Sequence, residues 1–566
     1  MKKTCQFYPF LAYNVFFLCW SLSFFFLLIT TVNILNIQFP VAVFRTIRDF
    51  TVQIVIFNPI TDKIIGLLFP VFLIFFIFKK DFFTKRISAL TFFTYLILIL
   101  VLVELMSLLG WILNGFIPKF VTLYPNIKWY PSFVELQLFN ILHPALPVLV
   151  LISLFSFLLK PSFSFLTKKI SNQKEFFLLK LKASRILLFT SILAGIFVCL
   201  YPLLPAVNPK FTVFGVDIPY YNEVLEELFS FGYLNTLNTP NIFFRERIVY
   251  HTFQYLIALP IPLSTTQTLQ FTTLILTGLL ILAVYFFVKA GVKNDFIAGC
   301  AALFTAFSFN VTVGVTAAIY SNWLALIEAY IFLGLYLLAV NGKNVKFLVL
   351  SVLVSVLMLY THPWTWSFLM AFLGLYFLIN LWYTKSEGLT QERKWEMKAL
   401  ILIFTINILF DFLKKLCFQI PGGVETGYNT LGFLNVFYPL LIRETIQKTL
   451  IIKVGGYYAN PLIYLLSIVG VFSMSNHKNR FYQLLVLWLV VGCVTFIFSE
   501  ALQWRILYVL PFQVYSTLGL VTILKLLSIK NGESGISKML MVSVFVLVYL
   551  VMANYAFRCA ANMVPA

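Results

Sequence analysis

The residues able to do chemistry gather in a few short stretches. Asp217 stands just ahead of Ile-Pro-Tyr220-Tyr221, and Arg245-Glu246-Arg247 follows in the same polar segment. His362 lies among aromatics in Tyr360-Thr-His-Pro-Trp-Thr-Trp366, and Arg505 follows Trp504 shortly before Pro511. A carboxylate within hydrogen-bond reach of a hydroxyl can act as a general base. Neighbouring arginines can hold a phosphate through bidentate bonds. A histidine titrates near neutral pH and can donate a hydrogen bond or take a proton. Each stretch also has a plainer reading. Asp217 would cap a helix, worth about 1 kcal/mol. Arg245 and Arg247 would pair with Glu226, Glu227 and Glu246, and the His362 stretch would be an aromatic belt around a proline turn. Arg505 would snorkel from a span to the water.

The elements that must position these groups follow from composition. The chain has 566 residues, 61% hydrophobic and 11% charged, with a mean hydropathy of +0.93. Soluble proteins carry about 25% charged residues, so soluble, disordered and fibrous classes are excluded. A membrane-crossing helix needs about 20 apolar residues. Windows of that size give fifteen candidate spans: 10–32, 63–79, 88–112, 138–159, 185–206, 267–289, 294–309, 322–340, 345–360, 365–383, 398–416, 458–474, 481–499, 505–527 and 537–556. Their apolar runs are continuous, which excludes a β-barrel. The expected fold class is therefore an all-α polytopic membrane protein. Met1-Lys-Lys opens an apolar run too long for a signal peptide, so it is read as a retained span. The seven cysteines are scattered with no C-x-x-C pair, giving neither a disulfide framework nor a metal cage.

Net charge is +20. With the N-terminus cytoplasmic, the inner segments collect most of the 41 lysines and arginines and a minority of the 21 acids, as the positive-inside rule requires. That accounts for the basic balance, and no nucleic-acid partner is implied. The longer segments 33–62, 113–137, 207–266 and 417–457 then face outward, so the chemistry faces outward.

In the third of these, Tyr221, Val224, Leu225, Leu228 and Phe229 share one helical face behind Pro219, which predicts a short interfacial helix near 219–231. The apolar stretch 248–262 is too short to span and reads as a second. The glycine pairs of Pro421-Gly-Gly-Val-Glu425-Thr-Gly-Tyr428 and Lys453-Val-Gly-Gly-Tyr457 suit either a mobile loop closing over a sugar or lipid headgroup, or an ordinary connection. Glu104, Glu328 and Asp411 lie in apolar runs, and intramembrane acids default to a functional hypothesis. Lys414 and Lys415, within one helical turn, give Asp411 a local alternative.

This layout resembles the GT-C class of membrane glycosyltransferases, which includes protein O-mannosyltransferases, aminoarabinose transferases and oligosaccharyltransferase catalytic subunits. The resemblance covers about residues 185–528. A span at 185–206 is followed by an outer loop with an acid near its start, short interfacial helices, a hydrophobic body, and an arginine at Trp504-Arg505. It departs in three ways: Asp217 is followed by Ile218 rather than a second carboxylate, no Trp-Trp-Asp-Tyr-Gly motif occurs, and no outer domain follows the last span. The second departure disfavours an oligosaccharyltransferase role.

The resemblance implies transfer of a sugar from a polyprenyl-phosphate carrier to a protein, lipid or glycan acceptor on the outer face of a cell membrane, with inversion. Asp217 would be the base, assisted by His362. Arg245, Arg247, Lys453 and Arg505 would meet the leaving phosphate, and Tyr220, Tyr221, Glu425 and Tyr428 would complete substrate binding. Class members differ in their need for a divalent metal, and the sequence shows no ligand cluster. Residues 1–184, with four spans, lie outside the resemblance and are a candidate surface for a membrane-protein partner; 529–566 adds a last span. The rival reading is a lipid or solute transporter or flippase coupled through Glu104, Glu328 and Asp411, although no internal symmetry supports it. A third is a non-catalytic subunit of a membrane complex.

Overall fold

The computed structural model describes residues 184–561 except 432–460 and the short stretches 206–207, 210–212, 214, 238–241, 261–262, 388–389, 475–478, 497–499 and 532–534. The first four expected spans, Glu104 and Lys453 lie outside the described residues. Among the described residues every regular element is a helix: α1 (Ser184–Leu200), α2 (Ile218–Phe231), α3 (Tyr233–Leu237), α4 (Ile242–Glu246), α5 (Ile248–Ala258), α6 (Thr265–Val292), α7 (Asp295–Ala306), α8 (Phe309–Ala317), α9 (Tyr320–Gly342), α10 (Val345–Thr361), α11 (Pro363–Glu387), α12 (Gln391–Phe418), α13 (Gly423–Leu431), α14 (Pro461–Ser473), α15 (Arg480–Phe496), α16 (Glu500–Val509), α17 (Phe512–Asn531) and α18 (Gly535–Ala561). Among the described residues five stretches are long and apolar enough to cross a membrane: Ser184–Leu203, Thr265–Val292, Asp295–Ala317, Tyr320–Gly342 and Pro363–Trp382. We read the chain as a helical integral membrane protein.

Local chemistry sets the helix ends. Ser264 and Gln267 form a capping box at the start of α6. Two tight turns reuse one device, a lysine in the left-handed region followed by a capping asparagine. Lys293 (φ 57°) precedes Asn294, which accepts from Ile297 N–H at 3.0 Å, and Lys343 (φ 50°) precedes Asn344, which accepts from Lys346 N–H at 2.9 Å. These turns lie at one end of the bundle. There Glu396 of α12 is buried and accepts from Tyr336 of α9, Tyr376 of α11 and Arg480 of α15, the last at 3.0 Å. A buried carboxylate is tolerated when it is paired and hydrogen-bonded in this way, and four helices are tied at that point.

α9 runs through the middle of the bundle with Trp323, Tyr330 and Tyr336 fully buried, and packs against α6 and α10. α14 and α17 cross at Gly470 and Gly519, where a methyl group on either would fall on the other helix's backbone, at Tyr515 or Leu466.

The expected span near the end of the body is not continuous. The stretch 505–527 is broken at Pro511, because proline lacks an N–H and its ring conflicts with the preceding turn. The Pro511 carbonyl instead opens α17, accepting from Tyr515 N–H at 3.1 Å. The break leaves the Tyr508 carbonyl to accept from the Asn310 side chain, and Tyr508 Oη returns a bond to the Asn310 carbonyl at 3.0 Å. Arg505 therefore lies on the separate helix α16, not on the first turn of a span.

Candidate functional site

At the bundle end opposite the Lys-Asn turns, the first turns of α9 and α11 meet the last turn of α10. The polar segment after α1 is laid across them. Gly215 makes that approach feasible: its φ is +127° and a Cβ there would collide with Ala318. The Asp217 N–H then donates to the Ala317 carbonyl at 3.3 Å. A cavity of about 60 Å³ results, lined by Asp217, Tyr221, Arg247, Ile319, Ser321, Asn322, His362 and Arg505. Five of the ten expected site residues thus share one cavity: Asp217, Tyr221, Arg247, His362 and Arg505.

Asp217 stands at the N-cap position of α2, but its side chain makes no capping hydrogen bond. Of the expected amphipathic face of α2, Tyr221, Val224, Leu225 and Leu228 are buried, whereas Phe229 is exposed. Tyr221 Oη lies 3.1 Å from Ser321 Oγ and accepts from Ser321 N–H at 3.3 Å. Burial raises its phenol above the ordinary value, with Arg247 partly offsetting that, so it stays protonated. Arg247 donates to the same Ser321 Oγ at 3.1 Å, and its guanidinium lies 4.5 Å from the Phe243 ring centre. The Arg505 guanidinium lies 5.8 Å from the Trp364 ring centre. Both cations are thus presented on aromatic platforms.

His362 joins two helices, ending α10 and opening α11, whose Trp366 N–H donates to the His362 carbonyl at 3.2 Å. The Thr365 N–H points at Nδ1 across 3.3 Å. Thr365 Oγ1, 2.8 Å from Nδ1, donates to Asn322 Oδ1 at 2.8 Å. Burial, then Arg247, Arg505 and Lys414, hold the imidazole well below its ordinary pKa. It is a neutral imidazole. The flanking tryptophans are not a membrane-facing belt, since Trp364 and Trp366 are buried and Trp366 Nε1 donates to Asn407 of α12 at 2.8 Å.

Other expected site residues lie elsewhere. Arg245 sits on α4 and Tyr220 is exposed beside Phe243; neither lines the cavity. Glu425, on the first turn of α13, is 2.7 Å from Lys415. Tyr428 belongs to α13, and its side chain lies outside the described part. Gly422 and Gly423 are closely packed rather than mobile: a Cβ would strike the Asp411 carboxylate at the first and Trp366 at the second. Asp411 accepts from the Gly423 and Val424 N–H groups, which makes it the cap of α13. Glu328 Oε1 accepts from Thr361 Oγ1 at 2.9 Å, next to His362.

Ser321, Asn322 and Ile319 were not anticipated. The signal was a polar pair at the outer edge of an apolar run, which reads equally well as a span boundary. Among the described residues no group of three or more His, Cys, Asp and Glu side chains could hold a metal ion. The cavity pairs its one carboxylate with two guanidinium groups, a donor set that does not fit a divalent cation.

No family model matches the chain, and no curated protein matches it. Among solved structures it is similar to the crystal structure of the Archaeoglobus fulgidus oligosaccharyltransferase in complex with Zn and sulfate, at 11% identity over 65% of this chain, with a TM-score of 0.43. The likeness takes in 53% of that chain, about half its length.

Proposed function

We propose that the chain is a membrane glycosyltransferase that moves a sugar from a polyprenyl-phosphate carrier to an acceptor hydroxyl on the outer face of the membrane. One observation carries this reading: a carboxylate, Asp217, shares a cavity with two arginines and a neutral histidine at the end of the bundle away from the Lys-Asn turns. That is a set suited to a reaction in which a hydroxyl loses a proton while a phosphate gains charge. Asp217 takes the acceptor proton as the oxygen attacks the anomeric carbon. The bond from that carbon to the carrier phosphate breaks, inverting the centre. The leaving phosphate is met by Arg247 and Arg505, and the neutral His362 assists beside Asp217. The catalytic body spans residues 185–528. The chain lies in a cell membrane with its N-terminus inside, and residues 1–184 and 529–566 flank the body.

The test is donor turnover in nanodiscs with a panel of labelled polyprenyl-phosphate sugars. Wild type is expected to release label to acceptor or water, and Asp217→Asn to lose that activity by about 100-fold or more. Equal turnover by both proteins would remove Asp217 from the chemistry. A wild type that neither binds nor consumes any donor would end the glycosyltransferase reading.

A further inference from the structure

Lys414 is fully buried on α12. Its ammonium donates to the Glu246 carbonyl at 2.9 Å and to the Leu359 carbonyl at 3.0 Å, and it lies 5.4 Å from the Tyr360 ring centre. Both carbonyls belong to helix C-terminal ends, where backbone oxygens lack helical partners and carry the negative end of the dipole. Glu246 ends α4 and Leu359 lies in the last turn of α10.

Their sequence neighbours matter more. Arg247 directly follows Glu246, and His362 follows Leu359 within one turn. One ammonium therefore fixes the two backbone points from which the cavity's guanidinium and imidazole are hung, although α4 and α10 are separated by a hundred residues of chain. An ammonium taken out of water carries a desolvation cost of several kcal/mol, recovered only when its donors are satisfied. An apolar side chain would pack here without that cost. What the lysine adds is the pair of bonds.

We propose that Lys414 is the positioning residue of the cavity, a buried cation that staples the polar segment to the α10–α11 turn and so sets the spacing of Arg247 and His362. Lys414 acts through Arg247 and not on substrate. The functional part of this inference rests on the reading of the cavity as a phosphate site.

Two measurements on the full chain in nanodiscs test it, using wild type, Lys414→Met, Lys414→Arg, Arg247→Gln and the double variant Lys414→Met/Arg247→Gln. Hydrogen–deuterium exchange reads the staple itself. Lys414→Met is expected to raise exchange across 244–251 and 362–366 while leaving α14 and α17 unchanged, and Lys414→Arg to restore protection. Binding of polyprenyl phosphate, the released carrier, reads the consequence. Lys414→Met should weaken it about tenfold, the size of a lost charge-assisted contact, and should cost less than about threefold once Arg247 is already Gln.

Unchanged exchange in both segments would overturn the staple. Loosening that also reaches α14 and α17, or binding losses that simply multiply in the double variant, would reduce Lys414 to a packing role. A wild type that binds no polyprenyl phosphate would sink the phosphate-site reading alone, and the exchange result would still decide whether Lys414 holds the two segments.

Discussion

Arg247 donates to Ser321 Oγ across 3.1 Å, joining the polar segment after α1 to the first turn of the central helix α9. The same hydroxyl lies 3.1 Å from Tyr221 Oη, so one serine organises a cation and a phenol of the polar segment that are 74 and 100 residues from it in sequence. Arg247→Lys keeps the charge but loses the planar stack on Phe243 and the fork geometry. The expected outcome is a fall of about 10- to 100-fold in kcat/KM for donor turnover, the range of a lost charged hydrogen bond. Activity within about twofold of wild type would mean that charge alone suffices.

Asp411 has a structural partner that the sequence does not display. An acid inside an apolar run is costly enough to be read as functional, and here a partner across the turn satisfies it. That partner is backbone, the N–H groups of Gly423 and Val424, and backbone donors have no signature in composition. Asp411→Asn retains one acceptor oxygen but no charge at the start of α13. It is expected to lower stability by about 1 kcal/mol, read as a drop in Tm in detergent, with donor turnover per folded molecule unchanged. A selective loss of turnover at unaltered Tm would return Asp411 to the functional residues.

The helix boundaries were far more legible than the site. Span 185–206 is found as Ser184–Leu203, and 322–340 as Tyr320–Gly342, because a continuous apolar run has no other way to satisfy its backbone in lipid. Asp217, Arg247, His362 and Arg505 were legible as chemistry because charged and titratable groups are conspicuous against an apolar chain. Ser321 and Asn322 were not. Their role comes from Gly215 and the left-handed Ala318 bringing two segments together, which no local pattern encodes. Pro511 was visible in the sequence, but only the Asn310–Tyr508 pair explains how a broken helix is tolerated there.

The buried His251 and the half-buried His362 give stability a defined pH dependence. Burial, reinforced by Arg247, lowers His251 to about 3, and His362 is held well below 6.5 by burial and nearby cations. Below pH 6.5 the unfolded chain binds protons that the folded chain refuses. Stability is therefore full above that value and falls as pH drops toward the folded pKa, by about 1.4 kcal/mol per pH unit for each histidine. Tm should hold between pH 7.5 and 6.5 and fall steadily from pH 6.5 to 5. His251→Phe, placed among the rings of Phe243, Phe244 and Tyr250, should flatten that slope by about half. A Tm that is flat or rises on acidification would show that these histidines accept protons in the folded state.

Gly470 and Gly519 give the sharpest prediction about the bundle. In lipid, helices associate by close packing rather than by hydrophobic burial, and small residues let backbones approach. Here the approach is reciprocal: the position of a Cβ on Gly470 is taken by Tyr515 backbone, and that of a Cβ on Gly519 by Leu466 backbone. Backbone cannot rotate aside as a side chain can, so even Gly→Ala must push α14 and α17 apart. Each single alanine variant is expected to cost about 1–3 kcal/mol, read as a lower Tm in detergent. Because the first methyl already opens the crossing, the double variant should cost clearly less than the sum of the two. Strict additivity would mean that the two glycines relax independently and that the helices do not move as one contact.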